Sequence, residues 1–195
     1  MKKIAKVLIK IVIAVILIAI LFFISTTLLM WWQLTPVTNV FKYEKVKSSR
    51  WHRPDLIHHF PKAIPSNAQN PQFYFRAGFL QGGATIELRL QMPENFVEDV
   101  YTTYRPKAKI VFNGAEELDR GAENPHMLPK WHFYASPQIK GETTEVIPLL
   151  PSDFEILLLS SHPYRKAPVS WNHGDCSGIS ISRKRNEIIY WAEDW

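Results

Sequence analysis

From Ile11 to Trp32 the chain reads IVIAVILIAILFFISTTLLMWW, 22 residues without a charge. A helix needs about 20 apolar residues to cross a bilayer. Ser25, Thr26 and Thr27 are mild polar breaks in this run. A cleaved signal peptide is the competing assignment. Its apolar region spans about 7–15 residues and ends in small residues of the Ala-x-Ala kind. Here the stretch from Ile11 to Ile24 already covers 14 residues, and no Ala-x-Ala pattern follows it. The single cysteine, Cys176, is far from the start and cannot carry an amino-terminal lipid there. The run reads as an uncleaved anchor, with the lipid bilayer as the partner of residues 11–32.

Lys2, Lys3, Lys6 and Lys10 precede the run, and the first acid is Glu44. Short lysine-rich flanks favour the cytoplasmic side, and Trp31 and Trp32 suit the far headgroup level. The expected arrangement puts the amino terminus inside and residues 33–195 outside the cytoplasm. In a bacterium that means the periplasm or the cell surface. The charge balance changes meaning with this division. The chain has 23 Lys+Arg against 18 Asp+Glu. Taking away the four early lysines leaves 19 against 18, a net of +1 for the outer part. No basic patch for nucleic acid is expected from so even a balance. One cysteine excludes a disulfide within the chain. The outer part must be held by its core, for which about 160 residues are enough.

The domain reading is a lysine-rich start and anchor at 1–32, a stalk at 33–60 and an extracytoplasmic domain at 61–195. All 14 prolines fall after residue 35, which argues against a long helical bundle. QFYFRAGFL and ATIELRLQM alternate apolar and polar residues around a glycine-bearing turn, which predicts a hairpin. PENFVEDVYTTY places Phe96, Val97, Val100, Tyr101 and Tyr104 on one helical face, with Pro106 as a stop. AKIVFNG, KWHFYA, TEVIPLL and FEILLLSS are strand candidates, the last apolar enough for a sheet interior. GISIS, RKRN and EIIYWA predict a second hairpin. Strands and helix do not alternate, so the expected class is α+β: a mostly antiparallel sheet with one packed amphipathic helix.

Chemistry-bearing residues gather in NHGDCSG, which holds His173, Asp175 and Cys176. A nucleophilic cysteine needs a thiolate, favoured by a nearby His or a helix amino terminus. Asp175-Cys176-Ser177-Gly178 resembles the nucleophile motif of papain-like cell-wall endopeptidases, over four residues of 195. The resemblance implies a helix opening at the cysteine and a catalytic His tens of residues later. GISIS instead alternates like a strand, and no His follows Cys176. A base would have to come from upstream, from His126, His132 or His162. The plainer reading is a turn shaped by Gly174 and Gly178 with Cys176 as a small buried residue. His52, His58 and His59 in WHRPDLIHH are imidazoles of the kind zinc accepts, but their spacing matches no metal motif. Glu98-Asp99, Glu116-Glu117 and Glu193-Asp194 are sequence neighbours, which usually point apart, and read as solvated surface. No phosphate-cradling glycine loop is present, so no nucleotide cofactor is expected.

Seven Trp, seven Tyr and eleven Phe are first of all core material. The ring-dense end YWAEDW also offers Tyr190, Trp191 and Trp195 as a candidate binding face for an envelope protein or a glycan. The expected function is a membrane-anchored, non-catalytic binding or structural module of the cell envelope. The alternative is a cysteine hydrolase or transferase acting on envelope polymers through Cys176, with His173, Asp175 or His162 in support.

Overall fold

The structure, a computed structural model, describes residues 2–78, 83–114, 133, 150–163 and 174–194. It forms two units, Met1–Thr35 and Pro36–Trp195.

The first unit is helix α1, Lys2–Leu34. Its stretch Lys10–Trp31 is long and apolar enough to cross a membrane, and none of it is buried. The three hydroxyl residues do not break it, because each bonds back to its own helix. Ser25 Oγ donates to the Phe22 carbonyl at 2.8 Å, and Thr27 Oγ1 to that of Phe23 at 2.7 Å. Thr26 Oγ1 does the same to Phe22 at 3.0 Å. A polar group satisfied inside its own helix can sit among lipid tails.

In the second unit the described residues form a six-stranded antiparallel sheet. Its strands are β1 (Gln69–Arg76), β2 (Ala84–Gln91), β3 (Ile110–Asn113), β4 (Glu155–Pro163), β5 (Gly174–Ser182) and β6 (Glu187–Asp194). The order across the sheet is β1-β2-β6-β5-β4-β3. Among the described residues this unit holds two α-helices, α2 (Tyr43–Ser49) and α3 (Glu94–Tyr104). This is the α+β class that the alternating strand patterns and the single periodic helix predict. Both predicted hairpins form, as β1-β2 and β5-β6. Asn186 turns the second with φ 53°, a left-handed conformation Asn adopts readily. KWHFYA and TEVIPLL lie outside the described residues, Phe133 and Leu150 apart.

Side-chain alternation divides the sheet into two faces. On the first lie Phe73, Phe75, Ile86, Leu88, Leu90, Ile179, Ile181, Ile188 and Tyr190, in one core with Val97 and Val100 of α3. On the second lie Phe112, Ile156, Leu158, Cys176, Ile189 and Trp191, packed with Leu150 and Phe154. β6 is apolar on both faces because it sits inside the sheet with both faces covered.

The stalk reading of residues 33–60 needs correction from Pro36 onward. Tyr43, Val46, Trp51, Leu56, Ile57 and Phe60 are all buried in the first-face core. Val37 pairs with Phe75 on the sheet edge. Tyr43 meets Phe73 edge-on, ring centroids 5.5 Å apart. Charges and a proline make this segment look solvated in sequence, yet its large side chains cover the sheet. Together with α3 they shield that face from water.

Candidate functional site

β5 and β6 pair so that Asp175 stands opposite Asp194. Like charges directly opposite on neighbouring strands destabilise a sheet unless a cation joins them. Arg53 is that cation. Its Nη2 donates to Asp175 Oδ2 at 3.0 Å, and its Nη1 to Asp194 Oδ1 at 3.3 Å. It also grips Asp55 with two bonds, Nε to Oδ1 at 3.1 Å and Nη2 to Oδ2 at 2.9 Å. Asp55 first, and then Asp175, raise the guanidinium pKa further, and Arg53 in turn lowers that of the Asp55 carboxyl.

The local fold explains how Arg53 arrives there. Trp51 is buried and its Nε1 donates to the Arg53 carbonyl at 2.6 Å, which fixes the backbone. Pro54 opens a 3-10 turn, Pro54–Ile57, whose Leu56 and Ile57 enter the core. Arg53 is therefore held at the entrance of a packed turn, and its side chain reaches the sheet end.

Two imidazoles complete the cluster. His52 Nε2 donates to Asp194 Oδ2 at 2.6 Å, and His162 Nδ1 to Asp175 Oδ1 at 2.8 Å. A carboxylate can only accept here, which places the proton on the named ring nitrogen. The two histidine side chains are 60% and 63% exposed, whereas Asp175 and Asp194 are 10% and 18% exposed. The result is a charged latch. Three carboxylates, one guanidinium and two imidazoles fasten residues 52–55 to the ends of three strands.

Cys176 is next to Asp175 but on the opposite face, 2% exposed. Burial, followed by the charges of Glu193 and Asp175, pushes its thiol pKa well up. A nucleophilic cysteine needs the reverse, a lowered pKa and an open approach. His162, which sequence reasoning offers as a base, is engaged with Asp175 on the first face. His173, His126 and His132 lie outside the described residues.

His52, His58 and His59 are not brought to a common point. His52 meets Asp194, His58 Nδ1 donates to the Asp55 carbonyl at 2.7 Å, and His59 Nε2 to the Gly178 carbonyl at 2.9 Å. Among the described residues no group of His, Cys, Asp and Glu is arranged to hold a metal. His59 is 3% exposed. Desolvation, with His58 nearby as a smaller cause, pushes its pKa down to about 3. It is a neutral core histidine.

The binding face proposed at YWAEDW needs correction too. Tyr190 and Trp191 are buried, at 3% and 0% exposure, because they point to opposite faces of an interior strand. Trp195 lies outside the described residues. Glu193, read in sequence as surface, is 5% exposed, and Asp194 is part of the latch. Sequence reasoning also missed Arg53. The available signal was the tight run His52-Arg53-Pro54-Asp55, in which one residue can answer several acids. The chain matches no protein-family model, no curated protein and no solved structure.

Proposed function

We propose that this is a single-span membrane protein whose second unit serves outside the cytoplasm as a non-catalytic binding or structural module of the cell envelope. The supporting observation is the charge-free helical stretch that ends at Trp31, with none of it buried. The buried Cys176 supports a non-catalytic role, since it lacks the low pKa and access of a nucleophile. The latch supports a structural one, because its bonds tie two segments of the same chain together.

Alkylation of Cys176 by iodoacetamide in the detergent-solubilised full chain tests the non-catalytic part. The expected outcome is no reaction until the protein is unfolded. Rapid alkylation below about pH 7 would transfer the role to the cysteine hydrolase reading. Orientation rests on the acid-free flank Lys2, Lys3, Lys6 and Lys10. Those four lysines adjoin the charge-free run, whereas the first basic residue after Trp31 is Lys42. Protease added to intact cells should digest the second unit. Protection until the membrane is broken, in cells without an outer barrier, would place that unit inside.

A further inference from the structure

We infer that Phe41, with Lys42 and Lys45, makes a second contact with the bilayer and that anionic lipid headgroups are its ligand. This rests on the membrane-anchored reading above and extends it to a part of the second unit.

Large apolar side chains of the described second unit are buried or half-buried, with two exceptions. Val111 is 37% exposed, and Phe41 is 94% exposed. Phe41 is not on a loose tail. It belongs to the 3-10 turn Val40–Lys42, where the Asn39 side chain accepts a hydrogen bond from the Phe41 backbone N–H at 3.0 Å. The Lys42 N–H donates to the Asn39 carbonyl at 3.0 Å. Tyr43 and Val46 then anchor α2 in the core. The turn thus presents a phenyl ring to the surroundings from an ordered backbone.

Its neighbours suit an anionic surface. Lys42 and Lys45 are exposed, and Glu44, also exposed, offsets one of them. Lys47 is already committed to the carbonyls of Pro61 and Lys62. An aromatic ring beside free lysines is the pattern that settles at a headgroup boundary.

The chain length supplies the occupant. Nine residues separate Trp31 from Phe41, and the first three of them continue α1. Allowing for the helical rise and an extended remainder, Phe41 stays within about 30 Å of Trp31. A tether this short holds the bilayer surface at high effective concentration, so a contact too weak for a free protein becomes populated.

The test uses the full chain with Cys176→Ala and an environment-sensitive fluorophore on Phe41→Cys. A second version carries the label on Thr103→Cys, an exposed position of α3. Each is reconstituted into phosphatidylcholine vesicles with or without phosphatidylglycerol, containing lipids with a headgroup-level nitroxide quencher. The expected result is several-fold stronger quenching at position 41 than at 103. It should rise with phosphatidylglycerol and fall back when Lys42→Glu and Lys45→Glu are added. Quenching at 41 no stronger than at 103, or unchanged by phosphatidylglycerol, would overturn the inference. Vesicle flotation after alkaline carbonate reads the anchor separately. A chain that fails to float breaks the anchored reading. One that floats with position 41 as wet as 103 breaks this inference alone.

Discussion

Asp175 and Cys176 are adjacent in sequence and belong to different halves of the second unit. Asp175 turns to the first face and meets Arg53 and His162 near water. Cys176 turns to the second face, in the core that holds Trp191. Strand geometry alone separates them, since successive side chains leave a strand on opposite sides. The lesson concerns motifs. A sequence pair with catalytic appearance can be split by a pleat, one member to a polar latch and the other to an apolar core.

The two halves meet at Gly178, and the largest expected effect lies there. A Cβ at this position would stand 2.2 Å from the Leu157 carbonyl oxygen and 2.5 Å from the Trp191 ring. Backbone on one side and an indole on the other leave little to yield. Gly178→Ala should therefore cost about 3 kcal/mol or more, read as a fall in urea stability. A cost below about 1 kcal/mol would mean that the strand spacing adjusts, and that the faces are less rigidly divided than the comparison requires.

Arg53→Met sharpens the contrast from the polar side. It leaves the facing carboxylates of Asp175 and Asp194 without their shared cation, at an expected cost of about 2 kcal/mol. Adding Asp194→Asn should restore part of that loss, as expected for coupled neighbours. The loss should shrink at high salt, which screens exposed charges. A salt-independent loss would mean that Arg53 acts through the packing of its stem.

The last expected effect is a slope, small over any one pH unit. His59 titrates near 6.5 when unfolded and at about 3 in the folded protein. Between those values the unfolded chain binds more protons, so stability rises with pH there. The contribution is complete above about pH 6.5 and is lost as pH falls toward 3, at about 1.4 kcal/mol per pH unit. The groups packed around the ring include His58, Phe60, Tyr190, the Gly178 carbonyl and the Trp191 backbone. Asp153, whose carboxyl is held down to about 2 chiefly by Arg185, adds its own loss only at lower pH. Urea unfolding between pH 7 and pH 4.5 should show the slope in the parent and a flatter one in His59→Gln. Equal slopes would assign the effect to other groups.

Local pattern was enough for much of the fold. Alternation in the two hairpins, the apolar face of PENFVEDVYTTY and the charge-free run before Trp32 each reflect a period or length that backbone geometry imposes. The path of residues 36–60 was not legible in the same way. Its covering role depends on a sheet built from residues that follow it in the chain, and no local period records a surface supplied from so far away. The latch was hidden for the same reason. Asp175 and Asp194 become neighbours through the β5-β6 register, and Arg53 reaches them across 122 and 141 positions.

The sequence by itself determined the charge-free helical stretch, the strand and helix types and the absence of an intrachain disulfide, since each follows from residue kind and spacing. Only the tertiary structure decided which aromatics are buried, where the histidines find partners and what surrounds Cys176. Those outcomes depend on which faces come together, and burial and electrostatics belong to the assembled neighbours of a residue.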